Sequence, residues 1–128
     1  MATQEKTAVM TTTEIANRLA ELCRKGEFEK AQKELFADNA VSIEPMATPA
    51  FPKETKGLNA IIEKGAKFDG MVQEYHSLNI SEPLVTDKCI AFVLSMDITM
   101  KGRPREQMSE ICVYDVKDGK IVSEQFHM

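Results

Sequence analysis

Residues 88–128 read KCIAFVLSMDITM (88–100), KGRP (101–104), REQMSEICVYDV (105–116), KDG (117–119) and KIVSEQFHM (120–128). In the three long runs, β-branched and aromatic residues recur with a period of two, which is the mark of strands. The breaks between them hold glycine beside charged residues, as hairpin turns do. The chain therefore ends in a three-stranded antiparallel meander. Three carboxylates, Asp97, Glu110 and Glu124, stand in it at positions flanked by core-type residues.

Upstream, Tyr75 to Glu82 has the same period and is stopped by Pro83, with Thr86-Asp87 as the next turn. Before Met71 the period becomes helical. Thr11 and Glu14 have capping-box spacing, and Ile15, Leu19, Leu22 and Cys23 form one apolar stripe up to a stop at Gly26. A second helix, from Glu27 to Phe36, turns Phe28, Ala31 and Leu35 inward, and the short connection makes these two helices antiparallel neighbours. Ala40 to Glu44 is a short strand. Pro45 to Lys56, with prolines at 45, 49 and 52, is a long loop that suits a lid. Gly57 to Gly70 is a third helix, with Gly65 inside it either for close packing or for a bend. Residues 1–10 are polar and aperiodic, a loose arm ahead of one domain over 11–128. The class is α+β: three N-terminal helices packed on a strongly curved, mostly antiparallel sheet.

The alternation sorts the strand from Lys88 to Met100 into two faces, one with Ile90, Phe92, Leu94, Met96 and Ile98, the other with Ala91, Val93, Ser95, Asp97 and Thr99. Neither face is fully polar, so both are covered, one by helices and the other by a partner subunit. A two-residue turn at Lys101-Gly102 would set Ala91 opposite Cys112 and gather Asp97, Glu110, Cys112 and Tyr114 on one face. The next turn has two readings. A type I turn with a glycine bulge at 117–119 adds Val122, Glu124 and Phe126 to that face; a two-residue Asp118-Gly119 turn adds Ile121, Ser123, Gln125 and His127 instead. The bulged register is preferred because it gathers three carboxylates with small and aromatic residues, as a polar-floored pocket requires.

The totals narrow the function. A chain of 128 residues with 43% hydrophobic and 28% charged residues is one globular domain. Its net charge is −4, and its only basic cluster, Lys101, Arg103 and Arg105, falls on a hairpin tip, so it lacks the field a nucleic-acid binder needs. No apolar run has the length of a membrane span or a secretory signal. Cys23, Cys89 and Cys112 have neither paired spacing nor an even count and read as small buried hydrophobes in a reducing cytoplasm. No His-x-His, His-Glu-x-x-His or Cys-x-x-Cys spacing provides for a metal, and no glycine-rich loop for a phosphate. Neither metal nor cofactor is expected.

Three stretches carry a resemblance: Glu34-Leu35-Phe36-Ala37-Asp38-Asn39-Ala40-Val41, Lys56-Gly57-Leu58, and Val116-Lys117-Asp118-Gly119-Lys120-Ile121-Val122. With the order of elements, they make residues 12–127 resemble the SnoaL-like branch of the nuclear transport factor 2-like superfamily, which includes ketosteroid isomerase, scytalone dehydratase and limonene epoxide hydrolase. The resemblance implies a cone-shaped cavity between helices and sheet, and frequent dimerisation through the sheet. The superfamily's enzymes use aspartate or histidine acid–base pairs whose positions differ among branches, so no catalytic residue is carried over by motif.

From the residues themselves, Asp97 and Glu110 are the candidate acid–base pair, because carboxyls crowded in an apolar cavity cannot all ionise and one is left to donate a proton. Tyr114, Glu124, Phe126, Met108 and His76 are the candidate ligand contacts. Tyr75 and Tyr114 have either a hydrogen-bonding or a packing role, and Met96, Met100, Met108 and Met128 either line a cavity or fill an irregular core. Three functions stay open: binding of a small, largely apolar ligand; an acid–base isomerase, cyclase or dehydratase; and a dimerisation module without a ligand.

Overall fold

The computed structural model describes residues 9–128. The expected N-terminal arm lies, for residues 1–8, outside the described residues. The elements run α1 (Thr12–Arg24), α2 (Phe28–Leu35), β1 (Phe36–Ile43), β2 (Glu54–Lys56), α3 (Leu58–Met71), β3 (Val72–Ile80), β4 (Leu84–Val85), β5 (Cys89–Met100), β6 (Arg105–Lys117) and β7 (Lys120–His127). They form the expected α+β fold, three helices against a single curved sheet.

Local chemistry sets the helix ends. The Thr11 hydroxyl accepts from the Glu14 amide at 3.1 Å while the Glu14 carboxylate accepts from the Thr11 amide at 2.8 Å. Both arms of the capping box are thus made. At the other end Gly26 is left-handed (φ 74°), its amide donating to Cys23 and the Glu27 amide donating back to Leu22. These are the two bonds of a Schellman stop, and they turn the chain directly into α2. Arg18 reaches across from α1 and grips both carboxylate oxygens of Glu34 near the end of α2. Ile15, Leu19, Leu22 and Cys23 are buried, as their spacing requires, together with Ala31 and Leu35 of α2.

The strand order is β2-β1-β7-β6-β5-β3, with the short β4 also on β5. All pairings are antiparallel except that of β1 with β7. β1 starts at Phe36, four residues earlier than expected, because Phe36 already lies beside Ile121; the register then slips before Val41 meets Ser123. β2 falls inside the stretch read as loop. Its residues pair with Val41–Ile43, so the connection from Glu44 to Lys53 is a closed excursion tied off by the Glu44 amide on the Lys53 carbonyl.

The turn at Lys101-Gly102 departs from expectation. The last pair of the β5–β6 ladder is Thr99 with Arg105, and the turn runs from Met100 to Pro104, with the Arg103 amide on the Met100 carbonyl. Ala91 therefore faces Val113, not Cys112, and Leu94 faces Glu110. This one-residue slip puts Asp97 on the opposite side of the sheet from Glu110. At the next turn Asp118 and Gly119 both have positive φ (52° and 75°), giving a two-residue turn between Lys117 and Lys120. A bulge then follows between Ile121 and Ser123, so Tyr114 comes to face Glu124 and Cys112 to face Phe126. The expected facing of Glu124 and Phe126 is reached, but by a bulge inside β7 and not at the turn.

Candidate functional site

The helices do not fill the space above the sheet. A cavity of about 290 Å³ lies between α1–α3 and the inner faces of β5, β6 and β7. Its wall is mostly apolar, including Phe28, Ile62, Phe68, Phe92 and Leu94, and Phe51 from the β1–β2 connection closes one side. Gly65, in the middle of α3, lines the cavity, and a Cβ at that position meets nothing within 4 Å. The glycine neither permits a close packing nor bends the helix out of the fold; it leaves room.

Of the residues expected to form the site, Glu110, Tyr114, Glu124, Phe126 and Met108 all line this cavity. Asp97 and His76 do not. Asp97 is held on the outer face by Arg105, whose Nε and Nη2 donate to its two carboxylate oxygens at 2.9 and 2.7 Å. That guanidinium keeps the Asp97 carboxyl below its ordinary range. The expected pairing of Asp97 with Glu110 is thus corrected by the β5–β6 register. His76 sits on the same outer side, its Nε2 2.8 Å from the Thr99 hydroxyl. The methionines divide: Met96, Met108 and Met128 line the cavity, whereas Met100 is buried with Val72 and Ile98 in a second core cluster. Tyr75 reaches the cavity rim and donates its hydroxyl to Asp69 at 2.6 Å.

The cavity's polar side is a chain of contacts. Glu124 is only 5% exposed, and its Oε2 accepts from the Ser42 hydroxyl at 2.6 Å. Ser42, itself buried, also accepts from Lys64 Nζ at 2.6 Å, and the same ammonium donates to Glu44 at 2.7 Å. The ammonium further lies 5.6 Å above the Phe126 ring. Ser42, Glu44 and Lys64 carried no signal in the sequence, since they come from β1 and from α3 and meet only once β1 is laid parallel to β7. Burial pushes Glu124 up to about 7, with Ser42 and Lys64 pulling it back and Glu44 adding to the rise.

Glu110 differs. It makes no hydrogen bond or ion pair among the described residues, and no buried polar side-chain atom among them is left without a partner, so its carboxylate opens into the cavity. Burial first, then the charges of Glu44 and Glu124, push it up to about 7. Beside it, Tyr114 is wedged between the rings of Phe36 and Phe92, at 6.4 and 5.4 Å between centroids. Burial raises its phenol well above the ordinary value, so it stays protonated. The thiols of Cys23 and Cys112, also on the cavity wall, are raised by burial in the same way and are inert at neutral pH. The site can thus hold an apolar body and exchange one proton with it.

A family model described as the SnoaL-like domain matches residues 10–128. The chain belongs to the SnoaL-like family. Among solved structures, it is 31% identical to a protein of Mesorhizobium loti provisionally described as a SnoaL-like polyketide cyclase, with 93% of this chain and 100% of that one covered and a TM-score of 0.86. Two more distant structures show the fold alone. One is a protein of unknown function with a cystatin-like fold from Xanthomonas campestris (14% identity, 92% and 90% covered, TM-score 0.77). The other is an NTF2-like protein of unknown function from Burkholderia pseudomallei (13% identity, 93% and 92% covered, TM-score 0.74). No curated protein matches the chain. Among the described residues of this SnoaL-like domain, no helix is long and apolar enough to cross a membrane.

Proposed function

We propose that this SnoaL-like domain binds a small, largely apolar molecule in the cavity and that Glu110 exchanges a proton with it. The observation that carries the reading is the unpaired Glu110 carboxyl opening into an apolar cavity, where burial holds it near neutrality. A group titrating near the working pH is both a competent acid and a competent base. The Mesorhizobium loti relative supports the class of chemistry, since a polyketide cyclase works on a largely apolar substrate. Tyr114 is the nearby neutral donor for an oxygen that gains charge, and the Ser42–Lys64–Glu44 chain holds Glu124 in place.

The test uses a small apolar ketone, 2-tetralone, whose acidic C–H exchanges with D2O. The wild type should accelerate exchange over buffer, and Glu110→Gln should lose at least about 100-fold, the span typical of a general base. Gly65→Leu, which places a side chain in the open cavity, should remove both binding and exchange. Asp97→Asn, on the outer face, should leave them as they are. Equal exchange in Glu110→Gln and wild type rules out Glu110 as the proton-transfer group.

A second copy of the chain across the outer face of the sheet is a separate proposal. Val93 and Ile111 face one another there and are 39% and 48% exposed, with Ala91 and Val113 paired beside them. Apolar side chains adjoining on a sheet face are the usual material of a homodimer contact.

A further inference from the structure

We propose that the cavity selects a cation: an apolar molecule carrying a protonated amine or a quaternary ammonium. The inference rests on the reading that the cavity holds a ligand, and it adds the sign of that ligand's charge.

The argument is one of unmatched charge. Five carboxyl side chains line the cavity, Glu29, Glu44, Asp69, Glu110 and Glu124, against one ammonium, that of Lys64. Lys64 is already committed to Glu44 and Ser42. Glu29 has Lys33 at 2.8 Å, and Asp69 has the Tyr75 hydroxyl. Two acceptors remain. Glu110 makes no ion pair or hydrogen bond among the described residues. Glu124 uses only Oε2, so its Oε1 has no hydrogen-bond partner, and at 5% exposure for the residue that oxygen can face only the cavity. An ammonium placed among these oxygens supplies what the protein leaves out. A ligand carboxylate would find the one cation already paired and two further carboxyls in its way.

The apolar wall fits the same ligand. Phe28, Phe51, Phe68, Phe92 and Phe126 present rings to the cavity, and two of them already sit under cations of the protein itself, Phe126 under Lys64 and Phe51 under Lys67 at 5.1 Å. Aromatic faces of this kind recognise ammonium groups.

The proposal has a pH signature. The charged groups facing Glu110 and Glu124 are Glu44 from β1, Lys64 and Asp69 from α3 and Glu29 from α2. Cys23 of α1 and Cys112 and Tyr114 of β6 face them too, but burial keeps those three neutral. An amine binds the ionised carboxyls, so its affinity rises with pH through about 7, where Glu110 and Glu124 lose their protons. An amine of ordinary basicity remains cationic throughout that range.

Three probes matched in their apolar part separate the possibilities: 2-phenylethylamine, 2-phenylethanol and 3-phenylpropanoate, titrated by calorimetry and by the methyl NMR signals of Met96 and Met108. At pH 8 the amine should bind at least about tenfold tighter than either of the others, and its Kd should fall about tenfold from pH 6 to pH 8, as one proton lost near 7 requires. Glu110→Gln should cost the amine at least about tenfold more affinity than it costs the alcohol. If the alcohol or the carboxylate binds as tightly as the amine at pH 8, the charge preference is overturned while the ligand cavity stands. If none of the three shifts the methionine methyls at millimolar concentration, both readings fall together.

Discussion

A carboxyl kept from water and left without a cation holds its proton longer than it would in an unfolded chain, and Glu110 and Glu124 both do so, at about 7 against an ordinary 4.5. Between those two pH values the native state carries protons that the unfolded chain has already lost. The contribution of each group to stability is therefore complete below about 4.5, declines as pH rises through about 7, and is constant above that. A shift of this size corresponds to roughly 1–3 kcal/mol per group. Thermal melts of the wild type should accordingly show a higher Tm at pH 5 than at pH 8. Glu110→Gln and Glu124→Gln should each raise the Tm at pH 8 and flatten the slope between pH 5 and 7. A wild-type Tm indifferent to pH in that window would mean both carboxyls are well solvated. Lys64 works in the opposite sense: it draws both carboxyls down, so Lys64→Met should drive their titration above 7, read directly by carboxyl-carbon NMR.

Among the elements, the turn between β6 and β7 decides most for its size. Asp118 and Gly119 are both left-handed, and a Cβ on Gly119 would come within 2.2 Å of the Val9 side chain. Gly119→Ala therefore meets two obstacles, an unfavourable φ and a collision with the segment just ahead of α1. It should cost about 1–3 kcal/mol by denaturant unfolding, whereas the same change at Gly65 should be neutral or stabilising by up to about 1 kcal/mol, since that helix position has space for a methyl group. The elements also show what single-chain periodicity misses. β2 is three residues long and is a strand only because Val41–Ile43 lies alongside it. β4, of two residues, depends in the same way on Ala91 and Ile90.

For the whole molecule, the consequence of the curved sheet is two working surfaces, a cavity on one side and an apolar stripe on the other. If the stripe joins two copies, Ile111→Glu should halve the mass seen by sedimentation without changing the circular dichroism spectrum, and a wild type that sediments as a monomer at all concentrations removes the outer face as an interface. The order of elements, the capping box, the Gly26 stop and the membership of most core residues follow from near neighbours in the chain, whose spacing is written in the sequence. So does the composition of the site: Met108, Glu110, Tyr114, Glu124 and Phe126 are residues on the inner faces of β6 and β7 that alternation alone picks out. Which carboxylate joins them was settled elsewhere. The turn from Met100 to Pro104 is one step longer in register than a two-residue turn, and the bulge after Ile121 adds a step of its own. Because side chains alternate with every residue, each step exchanges the faces of all that follows, sending Asp97 outward to Arg105 and Glu124 inward to Ser42. The buried chain from Glu124 through Ser42 to Lys64 and Glu44 joins residues 82 and 22 positions apart along the sequence. Such contacts are governed by how β1, α3 and β7 pack together, which no local pattern encodes, and so they were visible only in the tertiary structure.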